Sequence, residues 1–446
     1  MIWLQLAVLV IMILIGSRLK GIALGLMGIL GMFIFVQVFR MRPTAPPGDV
    51  MLIIISIVTT AAALQAAGGL DYLVYLAEKI IRKQPKGIIF IAPFTVYALC
   101  LFAGTAHIVY SLLPVISEVS TNTRIRPERP LSISVIASQF AMTGSPMSAA
   151  TAAMAALLMV PGASLMIMKV CIPACIIGLL AGALSVYKMG KELKDDPVFQ
   201  EKMKDPEFEK AMTAAAAETK RVIKPGAKTA VLIFAIAIAM VVLGGSFPHL
   251  VPNMAEGVPN FSVNADGTLK MVTIIEIVTL SAAALIMLIT KTSAADIVKA
   301  SLFNSMASAV ISVFGVVWMS STFMAHNEEV IKQAMGGLTA NYPWTFAIAV
   351  FLMGTLMFSQ SATAKAMMPL GMTLGLPVPV LIAMFPATNS YFFLPGYPTL
   401  VAAINIDRTG STKIGKYVLN HSFMRAGLVT TTVSIVVGLL LNRLYG

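Results

Sequence analysis

The sequence predicts an all-α polytopic membrane protein with two inverted-topology repeats, each holding spanning helices, one re-entrant hairpin and one broken helix. The first observation behind this is composition. Of 446 residues, 58% are apolar and only 12% are charged, whereas soluble proteins carry about 25% charged residues. Too few charges remain to cover a water-facing surface, which excludes a soluble enzyme. The second observation is the order of apolar runs and polar breaks.

In the first repeat, residues 1–187, the apolar runs predict spans at about 2–16, 21–39 and 50–67. An amphipathic stretch follows at 71–83, and it is expected at the membrane interface. The hairpin is predicted at about 88–120, where two apolar runs flank the polar break Gly104-Thr105-Ala106-His107. Basic turns on both sides indicate that the chain returns to the side it left. The short first run favours a re-entrant hairpin over two full spans.

A broken helix is predicted at about 131–160, because Gly144 and Pro146 interrupt an apolar run long enough to cross the membrane. Residues 165–187 then cross once more. The next stretch, 188–228, differs in kind: it carries ten basic and eight acidic residues and a run of alanines. It predicts a charged, solvated helical linker in the cytoplasm. The same charge rule, applied to Arg18 and Lys20 after the first span, places both termini in the periplasm.

The second repeat, residues 229–446, has the same plan. Its spans are predicted at about 229–244, 271–290 and 300–324, its hairpin at about 343–376, its broken helix at about 378–405, and a last span to about 441. Each half then has five crossings and one re-entrant element. Because five is odd, the second half starts on the opposite side of the membrane, and the two hairpins enter from opposite faces.

The four breaks are the candidate site, because interrupted helices in a bilayer leave unpaired backbone groups that a ligand satisfies. Helix N-termini at a break favour anions. None of the breaks contains Asp or Glu, which a site for organic cations normally carries; the inventory suits a dicarboxylate. The predicted substrate-binding residues are Gly104, Thr105, His107, Gly144, Ser145, Pro146, Ser148, Ser359, Gln360, Ser361, Thr363, Lys365, Asn389 and Thr399.

Structural roles compete with binding at each of these positions. Serine and threonine bond to backbone carbonyls in membrane helices, and glycine and proline shape a helix without binding anything. His107 is equally consistent with a core histidine, and Lys365 with a side chain that reaches the interface. No Walker loop, dinucleotide fingerprint, zinc-protease motif or serine-hydrolase elbow occurs. The three cysteines form no zinc or disulfide pattern. The sequence therefore predicts no enzyme, no cofactor, no metal and no nucleic-acid partner.

Several long segments resemble the Dcu family of anaerobic C4-dicarboxylate transporters. They are GIALGLMGILG, PPGDVMLIIISIV, LQAAGGLDYLVYLAEKIIRKQPK, GTAHIVYSLLPVI, IRPERPLSISVIASQ, FSQSATAKAMMPLGMTLG and LPGYPTLVAAINIDRTGSTKIGKYVLNHSF. The resemblance covers almost the whole chain. It implies a bacterial inner-membrane protein that exchanges fumarate, malate or aspartate for succinate. It also implies a homodimer in which paired hairpins move with a transport domain against a scaffold.

Three other functions stay open at this point. One is a cation-coupled uptake or efflux transporter of another small organic anion. The second is a cation–proton antiporter, which normally has intramembrane Asp or Glu at its breaks. The third is a membrane sensor that does not transport and docks a cytoplasmic partner. Exchange measured with four-carbon acids separates the first from C4-dicarboxylate exchange, and lack of counterflow despite binding favours the third.

Overall fold

The structure is a computed structural model, and it describes all residues except 20–21, 159, 161, 207, 209–222, 247–249, 255–261, 264–266, 304–306, 308–309, 312–313, 317, 324, 328–329, 331–341, 343, 358, 395–396, 417–418 and 446. Among the described residues, helices and loops account for the chain, with only two isolated β-bridges. Pro395 and Gly396 of the second broken helix, and most of the linker beyond 208, lie outside the described residues.

The first half contains nine α-helices in its described residues. They are α1 (Ile2–Leu19), α2 (Ala23–Gln37), α3 (Gly48–Ala66), α4 (Gly69–Lys83), α5 (Ile88–Ala103), α6 (Val109–Asn122), α7 (Glu128–Phe140), α8 (Ala149–Leu158) and α9 (Ala163–Val186). A 3-10 turn, Ala106–Ile108, joins the first polar break to α6. Most of these bounds lie within the predicted apolar runs, and several helices, such as α5 before Gly104, end where a polar or glycine residue interrupts the run.

In the rest of the chain, the described helices are α10 (Pro197–Lys202), α11 (Ala227–Ser246), α12 (Met271–Thr290), α13 (Ala294–Lys299), α14 (Trp344–Met357), α15 (Gln360–Thr373), α16 (Val378–Met384), α17 (Pro398–Ile406) and α18 (Met424–Tyr445). A 3-10 segment, Phe385–Phe392, follows α16 directly. Further helical residues lie between 301 and 330, with gaps.

Several helices have the length and composition of membrane spans. Five of the described helices qualify, and a sixth candidate is a pair, Met51–Ala66 and Gly69–Lys83, bent by 72°. A bilayer-spanning helix needs about 20 mostly apolar residues. The protein is therefore an all-α, multi-pass membrane protein, as the sequence predicts. The inverted relation of the two halves, and the re-entrant nature of the hairpins, stay predictions.

The bend between α3 and α4 occurs at Gly68, whose φ of +81° suits glycine. Beyond it, α4 buries one side, including Leu70, Val74, Ala77 and Ile81. Its other side carries exposed residues. The predicted amphipathic stretch at 71–83 is thus a helix of its own, turned sharply away from the span before it.

The start of the linker differs from the predicted solvated helix. Leu193 and Phe199 are 0% and 1% exposed, and only the short helix α10 is regular α-helix between 188 and 205. Charge patterning does not reveal this packing, because Leu193 stands between Glu192 and Lys194, and Phe199 follows the charged run Lys194-Asp195-Asp196. At the other end, α11 already begins at residue 227, within the predicted linker.

Ion pairs, most of them buried, hold the linker start to Arg126, just before α7, and to the first turn of α7. Arg126 contacts Glu128 and Asp196, each at 2.6 Å, and Arg129 contacts Glu192 at 2.7 Å. The Ser422 hydroxyl, from the loop before α18, donates to Glu128 at 2.6 Å. We call these residues the loop network. It joins three loops that are distant in sequence.

Two groups of helices organise the rest of the molecule. In the first group, α9 packs along α18, α5 along α7, α8 along α15, and α14 along the segment Phe385–Phe392. We call α5–α9 with α14–α18 the hairpin bundle. The remaining spans form two separate sets: α1 packs on α2, while α11 packs on α12 and α12 on α3. We call these five helices the frame. The polar breaks all belong to the hairpin bundle, which therefore positions the candidate site.

Candidate functional site

The first polar break forms a tight turn between α5 and α6. Gly104 ends α5 with a left-handed φ of +69°, a conformation that glycine adopts without strain. Thr105 is extended, and its hydroxyl accepts a hydrogen bond from the His107 backbone N–H at 3.3 Å. The threonine thereby caps the start of the second arm. We call residues 104–107 the first tip.

The first tip fits against the first broken helix. A Cβ at Gly104 would lie 2.3 Å from the Met147 carbonyl oxygen, so only glycine permits this approach. The Ser145 hydroxyl donates to the Leu101 carbonyl at 2.6 Å. These contacts fix the tip and the break as one unit.

The break itself leaves α7 at Phe140 and re-enters a helix at Ala149. Gly144 has a φ of +111°, and its N–H donates to the Thr151 hydroxyl at 3.0 Å. The Ser148 hydroxyl accepts from the Ala150 N–H at 3.1 Å and so caps α8. Thr151, Ser145 and Ser148 thus accept hydrogen bonds from the N–H groups of Gly144, Met147 and Ala150.

The second polar break repeats this device with other residues. Ser359 is extended, and its hydroxyl accepts from the Ala362 N–H at 3.3 Å, which caps α15. The Gln360 amide donates to the Gln139 carbonyl at 2.9 Å and also to Asn389. Asn389 in turn donates to the Thr143 hydroxyl at 2.8 Å. A buried amide network therefore joins the second break to both broken helices; we call residues 359–361 the second tip.

Both tips open onto one cavity with a volume of about 240 Å³. It is small beside the roughly 300–1,000 Å³ of pockets for drug-sized ligands, so it suits a small solute. Its lining residues are Val58, Gly104, Thr105, Ala106, His107, Gln139, Met142, Ser148, Ala149, Ala150, Leu302, Ser359, Gln360, Ser361, Tyr391 and Tyr397. Most of them come from the hairpin bundle, and Val58 comes from the frame.

Four helix N-termini meet at this cavity, one from each break. Three begin at the capping residues Thr105, Ser148 and Ser359. The fourth, of α17, begins after Tyr397. Each N-terminus carries partial positive charge and unpaired N–H groups. No acidic side chain is among the lining residues, so the cavity favours an anion.

Polar side chains at the cavity also lack partners within the described protein. The Ser361 and Tyr391 hydroxyls are buried without a hydrogen bond to a described residue. An unsatisfied buried polar atom costs about 1–3 kcal/mol. These donors therefore favour occupancy of the cavity by a ligand with acceptor oxygens.

The structure divides the predicted site residues into two sets. The residues that line the cavity are Gly104, Thr105, His107, Ser148, Ser359, Gln360 and Ser361. The residues outside the lining are Gly144, Ser145, Pro146, Thr363, Lys365, Asn389 and Thr399. In the second set, Ser145 and Thr363 bond to backbone carbonyls, Asn389 supports the amide network, and Lys365 is 2% exposed within α15. Substrate contact by any of these residues stays a prediction.

Sequence reasoning missed three polar lining residues, Gln139, Tyr391 and Tyr397. Gln139 lies one residue before the end of α7, with no glycine or proline beside it to mark a break. From sequence alone, Tyr391 and Tyr397 cannot be distinguished from aromatic residues that only pack in the protein interior. Tyr391 follows the polar run Thr388-Asn389-Ser390 directly, and that adjacency was the available signal. Among the described residues, no group of three or more His, Cys, Asp or Glu side chains is placed to hold a metal.

Interrupted helices that converge on one acid-free cavity in a multi-pass helical protein are typical of membrane transporters. Comparison of the whole chain makes this specific. The family model for anaerobic C4-dicarboxylate membrane transporters matches residues 1–446. The chain belongs to this family, and it is a transporter, not an enzyme.

Relatives and a solved structure agree with this assignment. The chain is 40% identical to the C4-dicarboxylate transporter DcuA of Wolinella succinogenes over 427 residues, covering 96% of this chain and 95% of the relative. It is 37% identical to the anaerobic C4-dicarboxylate transporter DcuB of Escherichia coli O6:H1, covering 99% and 98%. The crystal structure of the Alcanivorax borkumensis YdaH transporter has a similar fold, with a TM-score of 0.52, 15% identity and coverage of 87% and 84%.

Proposed function

We propose that this protein exchanges C4-dicarboxylates across the bacterial inner membrane, taking fumarate, malate or aspartate inward and succinate outward. The observation that carries the proposal is the meeting of four helix N-termini at one acid-free cavity. A dicarboxylate near neutral pH has two negative ends. The relatives named for C4-dicarboxylate transport support the same substrate class.

The two ends of the substrate would lie against different pairs of N-termini. One carboxylate would contact the first tip and Ser148, which are held together by the close packing at Gly104. The other would contact the second tip, where the Ser361 hydroxyl has no described protein partner, and Tyr391. Hydrogen bonds to charged groups contribute about 1.5–3 kcal/mol each, so a few of them suffice to hold a small dianion.

His107 and Lys365 are the candidates for added positive charge. His107 lines the cavity and is exposed, so it is placed to face one carboxylate directly. Lys365 lies four residues beyond Ser361 on α15 and outside the lining. We propose that Lys365 acts at a distance, through its charge, and that His107 acts by contact.

Transport would follow an elevator-like path, in which the hairpin bundle moves against the frame. The polar breaks all lie in the bundle, whereas the frame contributes the apolar Val58 to the cavity wall. A bundle that carries its site with it keeps the capped breaks intact during the movement. We further propose a homodimer that holds the two frames together, with the linker in the cytoplasm and both termini in the periplasm.

Counterflow in proteoliposomes tests this function. Vesicles loaded with succinate should take up radiolabelled succinate, and external fumarate, malate or aspartate should compete. Ser361→Ala and His107→Ala should each raise the substrate Kd, by roughly 10-fold or more for Ser361→Ala. Lys365→Ala should also raise the substrate Kd, and because Lys365 is only 2% exposed, its effect should depend little on salt concentration.

The matched control is Ser185→Ala on α9, where the hydroxyl bonds to the Gly182 carbonyl far from the lining residues. It should keep wild-type affinity. If His107→Ala and Lys365→Ala both bind like wild type, the charge assignment is wrong. If succinate binds without counterflow, the protein is a sensor and not an exchanger.

A further inference from the structure

A second cavity lies outside the polar site, between α4 and the first arm of the first hairpin, α5. Its volume is about 500 Å³. It is lined by Leu73, Leu76, Ala77, Ile80, Ile91, Phe94, Thr95, Ala98, Leu99 and Phe102. Thr95 is the single polar residue in that set. We call this cavity the α4–α5 groove.

The length of the groove fits one leaflet of a bilayer. On α5, the lining residues extend from Ile91 to Phe102, which at 1.5 Å per residue is about 16 Å. Half of the roughly 30 Å hydrocarbon core of a bilayer is about 15 Å. An apolar trough of this length matches an acyl chain better than a compact solute.

Basic residues gather at one end of the groove. On α4, Leu76, Ile80 and Lys83 follow at helical spacing on one face, so the apolar stripe ends in a lysine. Lys86 stands in the turn Pro85–Gly87, about one helical turn before Ile91. Both walls of the groove therefore bring a cation to the same end.

These cations are available for an external partner. Lys79, Lys83 and Lys86 are exposed, and within the described part of the chain none of them forms an ion pair. Arg82 differs, since it pairs with Glu118 on α6 at 2.8 Å. An apolar trough that ends in unpaired lysines is complementary in charge and shape to a phospholipid with an anionic headgroup.

We propose that the α4–α5 groove binds an anionic phospholipid, with one acyl chain along Ile80, Phe94 and Phe102 and the headgroup phosphate at Lys79, Lys83 and Lys86. Because α5 is an arm of the first hairpin and carries the first tip at its end, the bound lipid stabilises the position of that arm against α4. The lipid then modulates exchange. This consequence rests on the proposed exchange function, whereas the binding does not.

Lipid retention tests the binding directly. The purified full-length protein is incubated with equimolar phosphatidylglycerol and phosphatidylcholine, and retained lipid is measured by native mass spectrometry. Wild type should retain phosphatidylglycerol in preference. The triple variant Lys79→Gln/Lys83→Gln/Lys86→Gln should lose that preference by roughly 10-fold or more. Ala98→Trp, which fills the groove from an exposed position, should lower retention of both lipids.

Two matched controls separate this site from general attraction to the membrane. Lys188→Gln/Lys291→Gln/Lys299→Gln removes the same charge from exposed positions elsewhere. Leu288→Trp introduces the same tryptophan at a side chain that is 69% exposed. Both controls should retain lipid like wild type. The proposal is overturned if the groove variants also retain lipid like wild type, or if the control variants lose as much retained lipid as the groove variants. It is also overturned if Ala98→Trp changes the oligomeric state while lipid retention is unchanged.

Exchange assays then test the consequence. Wild type should exchange succinate several-fold faster in vesicles that contain phosphatidylglycerol than in phosphatidylcholine alone, and the lysine triple variant should lose this difference. Lipid retention without an effect on exchange overturns the modulation but leaves the binding site. Absence of exchange in every vesicle contradicts the proposed function instead, and the retention assay still decides the lipid site.

Discussion

At the scale of single residues, the loop network depends on charged side chains that are largely shielded from water, so each needs its ion-pair partner. The Arg126 side chain is 8% exposed and the Glu128 side chain 11%. Removing one member of a buried pair leaves the other charge uncompensated, which costs about 3–5 kcal/mol. Arg126 contacts two carboxylates, so it is the most sensitive position.

Arg126→Met should therefore lower the free energy of unfolding by about 3 kcal/mol, measured by thermal unfolding of the purified protein. Lys204→Met is the control, because Lys204 and Glu201 pair on the surface with 73% of each side chain exposed. Exposed pairs stabilise little, so this variant should unfold like wild type. Equal effects of the two substitutions would contradict a role for burial.

His421 gives a pH dependence. Burial lowers the pKa of His421 from its ordinary 6.5, partly opposed by a hydrogen bond to the Phe393 carbonyl. Nδ1 accepts from the Phe423 N–H at 3.2 Å, and this geometry requires a neutral ring. Because the folded pKa lies below the unfolded value, the unfolded chain binds the proton first as pH falls.

Stability from His421 is thus present above pH 6.5 and is lost as the pH falls through the folded pKa. Melting temperatures measured at pH 7.5 and 5.5 should differ more for wild type than for His421→Gln. His326→Gln removes an exposed histidine and should keep the wild-type difference. A pH profile that His421→Gln leaves unchanged would disprove this linkage.

Residue types at the breaks were readable from sequence, but side-chain direction was not. Ser145 and Ser148 look equivalent in the chain. In the structure, Ser145 bonds to Leu101, whereas Ser148 caps α8 and lines the cavity. The sequence did not identify Gln139 as a cavity residue, since a polar residue near the end of a helix has many structural roles. Which atoms face the cavity depends on tertiary packing that no local pattern records.

At the scale of elements, the first tip depends on two separate properties of Gly104. Its φ is +69°, and a Cβ there would meet the Met147 carbonyl oxygen at 2.3 Å. The left-handed conformation alone costs a non-glycine residue about 1–2 kcal/mol. The clash adds to this, because the added Cβ would meet the Met147 backbone, which cannot move aside as a flexible side chain could. The tip would therefore be forced away from the first broken helix.

Gly104→Ala should therefore reduce succinate counterflow by at least roughly 10-fold, equivalent to about 1.4 kcal/mol. Gly162→Ala is a close control: its φ is +70°, and nothing lies within 4 Å of the added Cβ. It carries the backbone strain without the clash. Similar losses in both variants would show that strain, and not the contact between tip and break, determines transport.

Element order was largely predictable, because long apolar runs and their interruptions are properties of the chain itself. The apolar runs predicted at about 88–120, 131–160, 343–376 and 378–405, and the last span, coincide with described helices, whereas the re-entrant nature of the hairpins stays a prediction. The linker start was not predictable in this way. Leu193 and Phe199 are buried in a small cluster with Met203 and Phe208, and ion pairs hold this segment to Arg126 and Arg129. The charge pattern of the segment predicts neither contact.

At the scale of the whole molecule, the question is whether the hairpin bundle and the frame move relative to each other. Val58 on α3 and Ala150 on α8 line the same cavity from these two bodies, and both side chains pack with one hydrophobic cluster. A covalent link between them would prevent relative movement while leaving the capped breaks in place. A rigid protein with a fixed channel would be unaffected.

In a background where the three buried cysteines are replaced, the double variant Val58→Cys/Ala150→Cys should lose exchange when a short thiol cross-linker joins the pair. Chemical cleavage of the cross-linker should restore exchange. Each single variant, treated identically, should keep its activity, which separates the link from modification near the site. Cross-linked protein that exchanges succinate at the rate of the unlinked protein would mean that the two bodies do not separate during transport, and the elevator-like path would have to be abandoned.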